Sequence, residues 1–295
     1  MIVQRSVNAR RLLVAIGPQL LALLIYDIVV TYLYMVQGWE HIGQDNLPLP
    51  LVGTAVALVV TLRNNAAYAR WWEGRLLWGQ IVNDSRSFVR GLIALTRDVP
   101  LQLRLTRHQV AYTQALRSHL LRVPPWDDIG RFLPPETMHR VRDAANVPLA
   151  LQTDIAARLG DARAAGLVDA IGMTTLNASL SALASAQGGL ERIKNTPLPR
   201  QYSQFPRIFV RVFCLLLPLG LVHDLGYFTP LGSALVGIMF LALDQVGLDL
   251  EDPFEGRQHD VPMQAITRAL EVDLHQMIGH LSMPPPVTLE KGVLN

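Results

Sequence analysis

The sequence predicts an all-α membrane protein, with four transmembrane helices continuous with a helical cytosolic domain. Three observations predict it. Charge-poor apolar runs occupy Leu12 to Val36, Leu49 to Leu62, Ile208 to Leu225 and Tyr227 to about Leu243. Between the second and third runs, from Arg63 to about Arg200, the chain is polar, has helical spacing of its apolar residues and lacks the alternation of strands. Half of the residues are hydrophobic and 17% are charged, with a mean hydropathy of +0.25. That is oily for a soluble chain of this length and too dilute for a bundle of spans alone.

The N-terminus carries Arg5, Arg10 and Arg11 ahead of the first run. No small-x-small cleavage site closes that run, which argues against a signal peptide. It exceeds the roughly 20 residues that a bilayer crossing needs. Pro18, after Gly17, is expected to kink it, because proline donates no backbone hydrogen bond. Asp27 lies within it, and a charge at that depth must face protein, water or a partner. Capping or a structural hydrogen bond is the expected role, ahead of ion binding.

The loop from Gln37 to Leu47 holds Glu40, His41 and Asp45 but no Lys or Arg. Basic residues flank the two runs on their other sides, so the N-terminus is expected in the cytoplasm and this loop outside. The second run, Leu49 to Leu62, falls short of the roughly 20 residues of a lipid-facing span. Its small residues Gly53, Thr54, Ala55 and Ala57 suit a helix surrounded by protein, which is a first hint of a pore. No proline occurs between Leu51 and Val99. One helix is therefore expected to leave the membrane and continue into solvent. At the junction, Trp71, Trp72 and Trp78 alternate with Arg70, Glu73 and Arg75, residue types that favour the headgroup level.

In the cytosolic part, helical pattern continues through Asp84 to Asp98 and resumes from Leu101 to Arg122. Pro124-Pro125 and Pro134-Pro135 interrupt it, with Trp126 as a loop anchor between them. Thr137 to Ala145, Leu149 to Ala165 and Leu167 to Lys194 are three further helices. The last is rich in Ala, Ser and Thr and suited to packing against copies of itself. Thr196-Pro197-Leu198-Pro199 ends it, since residues before proline avoid the α region. Arg200, Arg207 and Arg211 mark a cytoplasmic membrane edge. The turn His223-Asp224-Leu225-Gly226 carries no Lys or Arg and is expected outside, which returns the C-terminus to the cytoplasm. Asp244 lies near the inner end of the fourth run. Pro262 to Leu281 reads as a final amphipathic helix, and the tail from Ser282 as loosely ordered.

Three patches carry a resemblance. The first is Arg63-Asn64-Asn65-Ala66-x-Tyr68-x-Arg70-Trp71-Trp72-Glu73-x-Arg75-x-x-Trp78-Gly79. The second is Glu191-Arg192-Ile193-x-x-Thr196-Pro197-x-Pro199, with Tyr202-Ser203 behind it. The third is Glu251-Asp252-Pro253-Phe254. The chain resembles the bacterial members of the bestrophin family across roughly Leu51 to Pro262, and the fold class is therefore bestrophin-like. The resemblance implies a homopentameric ion channel in the bacterial inner membrane. Its pore neck would be lined by Thr54, Leu58 and Leu62 and its cytosolic aperture by Ile171. Arg63, Asn64, Asn65, Arg70, Trp71, Trp72, Glu73 and Trp78 would be structural motif residues. In eukaryotic bestrophins a run of acids after the third patch completes a calcium clasp. Here Glu251, Asp252, Glu255 and Asp260 are interrupted by Arg257 and His259, which opposes a calcium role.

Domain limits follow: residues 1–62 with the first two spans, 63–200 as the cytosolic domain, 201–250 with the last two spans, and 251–295 as a cytosolic segment. A formal charge of +2 argues against a nucleic-acid partner. The single cysteine, Cys214, excludes an intrachain disulfide and a Cys-rich metal site. No phosphate loop, nucleophile elbow or zinc motif is present, and His275 and His280 have poor metal spacing. Neither an enzyme, a cofactor nor a metal is expected. The partners expected are the bilayer, small monovalent ions and other copies of the chain. The competing reading is a membrane carrier or a non-conducting structural membrane protein. Carriers show internal repeats, and no repeat is visible.

Overall fold

The computed structural model describes residues 9–279. Arg5, His280, Leu281 and the tail from Ser282 lie outside the described residues, as do the side chains of Arg10 and Arg11. Among the described residues ten α-helices follow in chain order: α1 (Ala9–Met35), α2 (Leu49–Leu95), α3 (Val99–Leu121), α4 (Trp126–Ile129), α5 (Pro135–Arg142), α6 (Val147–Ala164), α7 (Ala170–Asn195), α8 (Arg200–Leu225), α9 (Thr229–Glu251) and α10 (Met263–Met277). No strand occurs among the described residues. Among the described residues three stretches are long and apolar enough to cross a membrane: Leu12–Met35, Leu49–Leu95 and Arg200–Glu251. The third comprises α8 and α9, joined by the short 3-10 turn Gly226–Phe228. The protein is an all-helical membrane protein.

Several helices begin a few residues before the sequence pattern predicts. Asp98 accepts from the Leu101 N–H at 2.6 Å and Asn146 from the Leu149 N–H at 3.0 Å. Pro100 and Pro148 then fall in the first turn, where a missing N–H costs nothing. Trp126, expected in a loop, instead opens the one-turn helix α4. Pro18 stays inside α1, which continues through it as one helix.

The chain forms two compact units. One holds α1, α2 up to Arg70, α8 and α9. Its interior is built from Ile16 and Leu23 of α1, Val56 and Val60 of α2, Val210, Phe213, Cys214 and Leu217 of α8, and Leu241 of α9. Small residues let these helices approach: a Cβ on Gly237 of α9 would stand 2.5 Å from Leu23 Cδ2. Asp27 of α1 is fully buried here, and the buried Ser233 of α9 is the side-chain partner that faces its carboxylate. Thr31 caps only the Asp27 carbonyl, at 2.8 Å.

The other unit holds the rest of α2, α3 to α7, and the segment from Pro253 through α10. Trp78, Phe88 and Leu92 of α2 and Leu105, Tyr112 and Leu116 of α3 pack in its core, with Leu151 and Ile155 of α6, Leu176 and Leu183 of α7, and Leu270 and Leu274 of α10. Close approach of α2 and α7 is fixed at two levels, where Gly91 meets Leu176 and Gly189 meets Leu77.

Candidate functional site

Helix α2 presents two stripes. Val56, Val60, Arg63 and Ala67 are buried, at the spacing of one helical face. Thr54, Leu58 and Leu62 are exposed on another face, with Leu58 61% and Leu62 52% exposed, and Asn65 continues that stripe. The Thr54 hydroxyl donates to the Pro50 carbonyl at 2.7 Å, so its one donor is used within the helix.

Arg63 belongs by position to the buried stripe and is 1% exposed. An isolated guanidinium there would cost several kcal/mol. Its Nη1 donates to Asp244 Oδ1 at 2.6 Å and its Nη2 to the Asp244 carbonyl at 2.7 Å. Nη2 also reaches Asn64 Oδ1 at 3.1 Å, and Asn64 Nδ2 donates to the Leu243 carbonyl at 2.9 Å. Asp244 has a second cation, Arg207 of α8, at 3.9 Å. This cluster ties α2 to α9, and Gly247 makes room for it. A Cβ there would lie 2.1 Å from Asn64 Oδ1 and 2.5 Å from Arg63 Nη2.

The remaining motif residues serve separate attachments. Arg70 Nε donates to the Glu251 carbonyl at 3.1 Å. The Trp71 indole donates to the His259 carbonyl at 2.8 Å and stacks on Trp72 at 6.3 Å. Glu73 pairs with Arg192 at 2.5 Å, and Trp78 is fully buried. Ile171, in the first turn of α7, is 75% exposed, and Asp169 caps that turn through the Gly172 N–H at 2.6 Å.

The acidic segment has found other partners. Glu251 accepts from the Ser203 hydroxyl at 2.9 Å. Asp252 follows α9 as its exposed C-cap residue. Glu255 pairs with Lys194 at 2.7 Å, and Lys194 also donates to the Phe254 carbonyl at 3.3 Å. Asp260 is buried and accepts from the backbone N–H groups of Glu255 and Arg257 at 2.8 and 2.9 Å. Lys194 beside it holds the Glu255 carboxyl below the usual range, whereas burial pushes the Asp260 carboxyl up against the pull of those N–H groups. Among the described residues no three His, Cys, Asp or Glu side chains group as a metal site.

A tethered ammonium therefore holds the carbonyl and carboxylate that a free cation would otherwise attract. Micromolar calcium is expected to leave both melting temperature and current unchanged. A calcium-specific rise of several degrees, absent with magnesium, would overturn this. Sequence reasoning found the acids but missed Lys194 as their partner, and it noted Asp244 without pairing it to Arg63. The available signal was an Arg and an Asp, each beside an apolar run with no local counterion.

Comparison with known proteins places the chain in a family. The family model for the Bacterial/Fungal Bestrophin protein matches residues 5–276. The voltage-dependent anion channel-forming protein YneE of Salmonella typhi is 37% identical over 240 residues, covering 80% of this chain and 78% of that one. YneE of Escherichia coli is 32% identical, covering 92% and 90%. The crystal structure of a bacterial bestrophin homolog from Klebsiella pneumoniae superposes with a TM-score of 0.86 at 30% identity, covering 92% of this chain and 100% of that one. With the family match spanning residues 5–276 and relatives above 30% identity over most of their length, this chain belongs to the bacterial and fungal bestrophin family.

Proposed function

We propose that the chain is a passive channel for small monovalent anions, chloride among them, formed by a homopentamer around one axial pore. The observation that carries this is the exposed stripe of Thr54, Leu58 and Leu62 on α2, directly ahead of the motif. The anion-channel-forming names of the relatives support a channel, rather than an enzyme, and an anion over a cation. In this reading α2 faces the axis, Leu58 and Leu62 form successive apolar rings, and Thr54 forms a wetter ring at the outer end. Such rings impede ions by dewetting, since methyl groups cannot replace water ligands. The domain limits proposed are those at residues 62, 200 and 250. The protein would sit in the inner membrane as a multi-pass protein with both termini cytoplasmic.

Purified protein in a planar bilayer is expected to give unitary current steps. Under a potassium chloride gradient the reversal potential is expected on the chloride side. Smooth transport without steps would support a carrier instead, and a potassium-side reversal would overturn the anion assignment.

Ile171 is assigned to the cytosolic aperture. Its exposed side chain at the first turn of α7 supports a role outside the core. Ile171→Ala is expected to raise conductance or shift ion preference, with less than about 0.5 kcal/mol change in stability because little intrachain packing is lost. Unchanged currents from an intact assembly would remove Ile171 from the pore.

A further inference from the structure

A cavity of about 180 Å³ opens beside the segment that follows α9. Arg117 and Leu121 of α3, Gly256 and Arg257 of the connecting segment, and Gln264 in the first turn of α10 line it. Its donors are under-used. Arg117 gives Nη2 to Asp128 at 2.6 Å, and its Nε is buried without a partner. Arg257 is fixed through its backbone N–H to Asp260, whereas its guanidinium makes no hydrogen bond or ion pair among the described residues. The Gln264 side chain is exposed and likewise unbonded among them. Pro262 precedes α10 and offers no side chain to cap it.

The acids nearby are committed. Asp128 holds Arg117, Glu255 holds Lys194, and Asp260 Oδ2 takes two backbone N–H groups. Asp260 Oδ1 is buried without a partner and is the opposing charge. Against it stand Arg117 and Arg257 at the cavity wall, and Arg122, whose charge reaches Glu255 together with that of Arg257. Guanidinium forks match the spacing of tetrahedral oxyanions, which accept several donors at once. A halide offers no such array of acceptor oxygens.

We propose that this cavity binds a phosphate-class oxyanion, with Arg257 and Arg117 as its cations and Gln264 as a neutral donor. The ligand's source is either free phosphate or a lipid headgroup, and the two share this chemistry. The test is thermal unfolding of the purified full chain in detergent, titrated with inorganic phosphate at constant ionic strength. A saturable rise in melting temperature is expected. Arg257→Gln should melt within a few degrees of the unsubstituted protein without phosphate, because its guanidinium makes no hydrogen bond or ion pair among the described residues and acts on Glu255 and Asp260 only through space, and it should bind at least about tenfold more weakly. Phosphatidylcholine nanodiscs with and without phosphatidic acid then separate the sources. A headgroup ligand raises melting in the acidic discs and removes the response to added phosphate. A free-phosphate ligand leaves that response in place. The absence of a saturable shift with either source, or equal shifts in the Arg257→Gln protein, would overturn the proposal.

Discussion

Asp244→Leu is expected to destabilise the protein by about 3–5 kcal/mol, as breaking a buried pair does when one charge is left behind. The charge left behind is Arg63, 1% exposed, whose remaining acceptors are a backbone carbonyl and Asn64 Oδ1. Arg63→Leu should cost less. It strands Asp244, but Arg207 already stands 3.9 Å from that carboxylate and is 37% exposed, so it has freedom to move in. The double substitution to two leucines should recover most of the loss, since apolar replacement of a buried pair is often neutral or stabilising. Thermal melting of the four proteins in one detergent checks this. Equal losses in both single variants would show that Arg207 does not compensate.

Gly247 offers an independent route to the same cluster. Gly247→Ala places a methyl inside the space of Asn64 Oδ1 and Arg63 Nη2. Both side chains are anchored to α9 on their far sides, so their retreat breaks bonds rather than merely rotating a free end. A loss approaching that of Asp244→Leu is expected.

The spans and the motif were legible in the sequence because they depend on local properties. Apolar runs mark bilayer crossings, and an absence of proline from Leu51 to Val99 allows one helix through the boundary at Arg63. The helix starts were less legible. Asp98 and Asn146 cap their helices across a Pro that reads as a break, whereas in the first turn it is tolerated. Pairings across long separations were not legible at all. Arg63 with Asp244 and Lys194 with Glu255 depend on how distant segments are brought together. Periodicity along one helix shows only that a charge lies on the buried stripe. It does not say which residue answers it.

The second large effect is expected in the current. Leu58→Ala and Leu62→Ala should each conduct more than the unsubstituted protein while remaining assembled. A buried leucine cut to alanine costs about 2–5 kcal/mol. Leu58 and Leu62 are 61% and 52% exposed in the single chain, so each truncation removes a minor part of that packing. In a pentamer their side chains then face either the axis or a neighbouring subunit. If they face the axis, each alanine replaces a ring of isobutyl groups with methyls, widens the neck and admits water. Every 1.4 kcal/mol or so removed from an ion's barrier raises its rate about tenfold, so a partial relief of dewetting gives a several-fold gain. Thr54→Leu should do the opposite, adding an apolar ring where a short side chain now stands. If the leucines instead pack between subunits, the alanine variants lose assembly on size-exclusion chromatography and lose current with it. Gain of current with intact assembly supports the neck at Thr54, Leu58 and Leu62, and loss of both places the pore on another face of α2.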